Sequence, residues 1–310
     1  MKKLNQRLIL TALLLAALLA AVFAGCSKTT PEPSPTGEPD KGITVVDMKG
    51  REIKLDGPAN RIVALTAGDC EIIFALGAGD KLVGRGAYCD YPEEVLEIPA
   101  VDSGGETNIE QIIALEPQVV IMSTMAQTIE HVESLERAGI RVVTIEAHDI
   151  EGTYEAIKII GTVIGKNEEA AALVDQMKAD FEELKSKIPP NSGKKIYFEV
   201  SPLEYGLWAA GSGTFMDELA NMLGLTNIFS DVQGWAQVSE EQVLERNPDL
   251  IVSNAMFEGA VEEIAGRSGW ENLNAVKNGK ILNTYNNEIT RPGPRLVDGA
   301  RMLFDFAYGD

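Results

Sequence analysis

Asn108-Ile-Glu-Gln-Ile-Ile-Ala-Leu-Glu-Pro-Gln-Val-Val-Ile121 and Ser239-Glu-Glu-Gln-Val-Leu-Glu-Arg-Asn-Pro-Asp-Leu-Ile-Val252 lie over one another in register. Each opens on a residue whose side-chain oxygen caps a helix and places Glu-Gln in the first turn. A proline seven residues after that Glu then ends the helix ahead of a short apolar run. Because cap, Glu-Gln and proline all agree in spacing, we read one structural unit used twice rather than two chance helix–proline–strand segments.

Working outward, apolar runs at Arg61–Leu65, Lys81–Arg85, Gln118–Met122 and Arg141–Ile145 alternate with helical segments, and Lys195–Val200, Asp249–Ser253 and Lys280–Thr284 repeat the pattern. That alternation is the mark of parallel sheets with crossover helices. Between the two sets, Val174, Met177, Phe181, Leu184 and Ile188 recur at steps of three and four, which predicts one long helix over Glu168–Ile188. Twenty residues at 1.5 Å each reach about 30 Å, enough to run from one lobe to the other. The expected fold is therefore α/β: two lobes, each a parallel-type sheet with flanking helices, joined by one long backbone helix. A rod of this kind stores little hinge freedom, so only small closure on binding is expected.

The 310 residues are 45% hydrophobic and 24% charged, a composition that excludes fibres and wholesale disorder. Lys and Arg number 27 against 47 Asp and Glu, a formal charge of -20, and no basic patch stands out, so nucleic acid is excluded as a partner.

Lys2, Lys3 and Arg7 precede an uncharged run from Leu8 to Ala24, in the order of a secretory signal. Phe23-Ala24-Gly25-Cys26 closes the run and resembles the lipobox of bacterial lipoproteins, which makes Cys26 the expected lipidated first residue of the mature chain. Several acyl chains, at about 0.8 kcal/mol per buried methylene, hold a protein at a membrane without spanning it. Pro31, Pro33, Pro35 and Pro39 make the following stretch a tether. The expected division is a leader over 1–25, the tether over 26–42, a first α/β lobe over 43–150, linking helices over 151–192 and a second lobe with its terminal helix over 193–310. Cys70 and Cys89 each follow an expected strand, and the sequence leaves open whether they bridge or stay separate buried thiols.

Those segments, with Ile43-Thr-Val-Val-Asp-Met-Lys-Gly-Arg-Glu-Ile, Leu76-Gly-Ala-Gly-Asp-Lys-Leu-Val-Gly84, Tyr88-Cys-Asp-Tyr-Pro92, Ala210-Gly-Ser-Gly-Thr-Phe215, Trp235-Ala-Gln-Val-Ser239 and Arg291-Pro-Gly-Pro-Arg295, together resemble the substrate-binding proteins of ABC importers for iron complexes and vitamin B12. The resemblance covers residues 43 to 308. It implies a cleft between two lobes holding a large metal chelate (a corrinoid, ferric siderophore or haem) as cargo, with no cofactor of the protein's own. It also implies a monomer on the extracytoplasmic face that works with an ABC permease and its ATPase subunits.

A cleft for such cargo needs flat aromatic faces and a few fixed polar groups rather than direct metal ligands. Tyr88, Tyr91, Trp235 and Arg291 are the candidates, with Asn287 added because the stretch Asn287–Arg291 matches a corrinoid-touching segment of the vitamin B12 binders. Glu288 and Ile289 depart from the aromatic pair found there. Trp208 is read as core, Arg295 and Arg301 as surface or salt-bridged residues, and Ala210–Thr214 as the cap of the helix that starts at Phe215.

Glu110 and Glu241 are the paired acids of the internal echo. A carboxylate in a first helical turn is favoured by the helix dipole alone. In the family, one exposed Glu on each lobe meets an arginine of the permease, and these positions match, so docking is the expected role. Two other classes compete. Capture of bare zinc or manganese needs converging His, Asp or Glu, and the chain has only His131 and His148, both in the first half. His148 is read as a solvated loop residue, and no metal ligands are assigned. An extracytoplasmic enzyme would need a nucleophile with a His partner or paired acids in a defined motif, and none is found; no catalytic residue is expected.

Overall fold

The computed structural model describes residues 42–104, 107–124, 127–190, 192–255, 257–284 and 287–309. The leader, Cys26 and the tether up to residue 41 lie outside the described residues.

The first strands, β1 (Ile43–Val46) and β2 (Glu52–Leu55), form an antiparallel hairpin. A five-stranded sheet follows, built from β3 (Ile62–Ala64), β4 (Leu82–Gly86), β5 (Ala100–Val101), β6 (Val119–Met122) and β7 (Arg141–Thr144), in the order β5-β4-β3-β6-β7. Every neighbouring pair in it is parallel. Helices α1 (Ala67–Ala75), α2 (Ile109–Ala114) and α3 (Ile129–Arg137) make the crossovers. The strands are buried on both sides, and their side chains alternate between two cores. Ile62, Ala64, Val119, Ile121 and Val143 join one, whereas Val63, Leu65, Val120, Met122 and Val142 join the other.

Helices α4 (Ile150–Ile164) and α5 (Asn167–Ser186) lead to the second lobe. Asp149 caps α4 by accepting from the Gly152 N–H at 2.6 Å, and Gly165 ends it at φ 73°, where a side chain would be strained. The expected bridge over Glu168–Ile188 is thus α5, which buries Ala170, Val174, Met177, Phe181 and Leu184.

The second lobe contains β8 (Lys195–Ser201), β9 (Trp208–Ala210), β10 (Thr226–Asn227), β11 (Trp235–Gln237), β12 (Leu250–Ser253) and β13 (Ile281–Asn283). Its helices are α6 (Phe215–Met222), α7 (Glu240–Arg246), α8 (Ala260–Ala265), α9 (Asn274–Lys277) and α10 (Leu296–Tyr308). The sheet order is β11-β9-β8-β12-β13, with β10 beside the start of β8. The β10, β8, β12 and β13 pairings are parallel as expected, and the sheet gains an antiparallel edge, since β9 runs antiparallel to β8 and β11 antiparallel to β9. The cause is local: Leu203–Tyr205 forms a single tight helical turn and Gly206 follows at φ 84°, so the chain doubles back without a crossover helix.

Helix α5 packs on α4, which lies against β1 and α1, and on α10 of the second lobe. One hydrophobic core consequently runs from Val45 through Ile157 and Phe181 to Phe198 and Leu303. Among the described residues no helix is long and apolar enough to cross a membrane.

Candidate functional site

In a parallel sheet each strand ends on the same edge, and the loops beyond that edge are where an α/β fold places its ligand groups. In the first lobe these loops span 87–92, 102–108, 123–128 and 145–149, and in the second they span 202–207, 254–259 and 284–295. The two edges meet through the loops after β4 and β13. There Arg291 pairs with Asp90 through Nη1, and its Nη2 donates to the other Asp90 carboxylate oxygen at 3.2 Å and to the Tyr88 carbonyl at 3.4 Å. Arg291 Nη1 also lies 3.4 Å from Glu71 on α1.

Glu71 is 3% exposed and receives Arg295 as well, at 2.9 Å from Nε and 2.7 Å from Nη2. Glu288 stands 3.5 Å from the same guanidinium. Three carboxylates and two arginines thus tie the lobes together. The hydrogen bond from Arg291 holds the Asp90 carboxyl below the usual carboxylate range, despite partial burial. Backbones close in at the same place: a Cβ on Gly68 would lie 2.6 Å from the Pro292 carbonyl oxygen. A further tie joins α6 to α4, where Glu218 accepts from the Ile150 N–H at 2.7 Å; burial raises the Glu218 carboxyl.

Tyr91 turns toward this clamp. Its ring sits 4.1 Å from the Arg295 guanidinium carbon and lines a groove of about 440 Å³ with Glu71, Phe74, Pro92 and Asp298. Tyr88, two residues past β4, is instead 71% exposed. Asn287 adopts φ 61°, and its carbonyl accepts from the Thr290 and Arg291 N–H groups at 3.1 and 3.3 Å, so it shapes the turn that presents Arg291. Glu288 serves the clamp, and Ile289, fully buried, serves the core.

Trp208 and Trp235 belong to the strands β9 and β11. Trp235 pairs with Ala210 and Gln237 with Trp208, so the two indoles are diagonal neighbours on one face of the antiparallel β9–β11 pair. Both are part-exposed, Trp208 at 37% and Trp235 at 49%. Trp208 is therefore not core: it starts β9, between the edge strand β11 and β8, and its ring is part-exposed. The exposed rings of Tyr205 and Phe257, just beyond β8 and β12, were also missed. The signal available for both was an aromatic residue in the loop four places beyond the end of a strand.

Asn108 and Ser239 both cap as read, accepting from the Gln111 and Gln242 N–H groups at 3.0 and 3.3 Å. The repeat extends to the backbone, since Glu116 and Asn247, each just before its proline, have φ 48° and 45°. Glu110 and Glu241 are exposed in the first turns of α2 and α7, and neither forms an ion pair among the described residues. Hydrogen bonds from its own N–H and from Ser239 lower the Glu241 carboxyl, which therefore keeps its charge.

Cys70 and Cys89 are free buried thiols whose sulfurs lie 3.7 and 4.0 Å from the Ala64 carbonyl. His131 accepts from the Thr128 N–H at 3.2 Å as part of a helix cap, and His148 is exposed. Among the described residues no group of three or more His, Cys, Asp or Glu is placed to share a metal ion.

Comparison with known proteins points the same way. An "uncharacterized ABC transporter substrate-binding lipoprotein YvrC" of Bacillus subtilis (strain 168) is 32% identical over 306 residues, which cover 95% of this chain and 96% of the relative. A vitamin B12-binding protein of Salmonella paratyphi A is 27% identical over 79% of this chain and 89% of its own length. Among solved structures, a possible iron-binding (periplasmic solute-binding) protein of Staphylococcus epidermidis superposes with a TM-score of 0.71 at 31% identity, over 81% of this chain and 99% of that one. A family model described as "periplasmic binding protein" matches residues 62–287, and with two lobes meeting at their strand-end loops, the chain belongs to that family of binding rather than catalytic proteins.

Proposed function

We propose that this protein is the lipid-anchored, extracytoplasmic substrate-binding component of an ABC importer. It takes a metal chelate (a corrinoid, ferric siderophore or haem) between its lobes and delivers it, as a monomer, to the permease and its ATPase subunits. The observation that carries the reading is the exposure of Tyr88 on one lobe and of the Trp208–Trp235 pair on the other, with Arg291 joining the loops of the two lobes. Stable soluble folds rarely leave several large rings bare without a partner for them. Flat rings suit a conjugated or bulky chelate, on which stacking is worth about 0.5–1.5 kcal/mol per pair beyond area burial.

Tyr88, Tyr91, Trp235, Asn287 and Arg291 are the proposed ligand set, Tyr88 and Trp235 by direct contact and Tyr91, Asn287 and Arg291 through the clamp and the turn that shape the site. Glu110 and Glu241 are the proposed docking charges, one on each lobe, which fix orientation and speed encounter more than they add affinity. Cys26 is the proposed lipid site, and the mature surface, at -23 once the +3 of the leader is removed, gains nothing from anionic lipid heads.

Titrating the protein with cobalamin, haemin and ferric siderophores while following tryptophan fluorescence tests the reading. We expect saturable quenching by one of them and a loss of about tenfold or more in affinity for Trp235→Ala and Tyr88→Ala. No quenching by any probe, or variants that bind as the parent does, would overturn it.

A further inference from the structure

We infer that the cargo carries no net negative charge: the seam is built for a neutral or cationic chelate, of the corrinoid or trihydroxamate type, and against anionic chelates such as tris-catecholates and haem. The inference rests on the receptor reading above and narrows it to a substrate class.

Among the described residues, the seven strand-end loops contain seven acidic residues and only two basic ones, Arg291 and Arg295. Neither arginine is available. Arg291 is held by Asp90 and Glu71, and Arg295 by Glu71 and Glu288. To serve an anion, Arg291 would have to abandon Asp90 and leave Glu71, 3% exposed, facing Arg295 alone. Stripping a partner from a buried carboxylate is costly, so the clamp resists that exchange.

Two cations elsewhere on the first lobe are committed as well. Arg85 donates to the carbonyls of Ile98, Gly86 and Cys89 at 3.2, 3.3 and 3.0 Å, and Lys49 pairs with Glu146. Glu204 and Glu258, exposed in the loops after β8 and β12, make no ion pair among the described residues. The unpaired charges of Glu204 and Glu258 therefore set a negative potential beside the exposed rings of Tyr205 and Phe257. The same rings attract a cation through their faces and tolerate a neutral surface.

The test is equilibrium titration of the mature chain with four probes: cyanocobalamin, the monocationic trihydroxamate ferrioxamine B, a trianionic ferric tris-catecholate, and haemin. Cyanocobalamin or ferrioxamine B should bind at least 100-fold more tightly than either anion. In the charge-reversed variant Glu204→Lys with Glu258→Lys, whose sites are exposed and outside the core, affinity for the tris-catecholate should rise at least tenfold. Tightest binding of an anion by the parent chain would overturn the charge inference while leaving the receptor intact, as would a reversed variant with unchanged preferences. Binding of none of the four would overturn the receptor reading, and the inference with it.

Discussion

Asp69 is buried inside the first lobe, where Thr66 Oγ1 donates to its carboxylate at 2.5 Å. Burial pushes this carboxyl up to about 7 from 3.8, against the opposing effect of the Thr66 bond. The native state therefore holds a proton between those two values that the unfolded chain has released. Its stabilising effect is complete below 3.8 and is lost as pH rises toward 7. Asp69→Asn should flatten the fall in unfolding free energy over that window, as measured by denaturant titration at several pH values; an unchanged slope would contradict the assignment. At Cys70, the contact with Cys89 and then burial push the thiol well above its ordinary value, so the reactive thiolate is absent. The native chain should resist alkylation, and the unreduced chain should take up label at both Cys70 and Cys89 once denatured. At this scale the sequence was least legible. Tyr91 and Arg295 meet because two lobes bring together residues far apart in the chain, and Glu71, hidden in a short helix buried along most of its length, gave no sign of serving as their anchor.

At the scale of elements, all seven apolar runs became parallel strands, because a strand buried on both faces must be continuously apolar and such runs are visible without any alignment. The short edge pieces β5, β10 and β11 and the β8–β9 return escaped notice, since two or three residues carry no period and their pairing is set by neighbours. The repeated unit reads out to its caps. Ser239 and Gln242 form a reciprocal capping box, and Ser239→Ala should cost about 1 kcal/mol of stability. Reversing Glu110 and Glu241 together to Arg should abolish uptake by cells while leaving chelate affinity intact. Uptake at the parent rate would remove their docking role. Gly68→Ala places a methyl against the Pro292 carbonyl, and we expect lower thermal stability together with weaker chelate binding.

For the whole molecule, the continuous core through α4, α5 and α10 and the Glu71–Arg295 clamp argue against a wide hinge. Glu71→Ala removes the buried carboxylate shared by Arg291 and Arg295 and should destabilise the protein by about 3–5 kcal/mol, the scale for breaking a buried pair. Small-angle scattering with and without saturating chelate should show only slight compaction, and a large change would contradict the rod-like bridge. The two-lobed plan was legible because the internal echo gave two like-built halves and a long amphipathic stretch between them. Capture between those halves is tested most directly by hydrogen exchange on the saturated protein. We predict simultaneous protection of residues 87–92 on one lobe and 202–207 on the other, whereas protection confined to a single lobe would contradict the account.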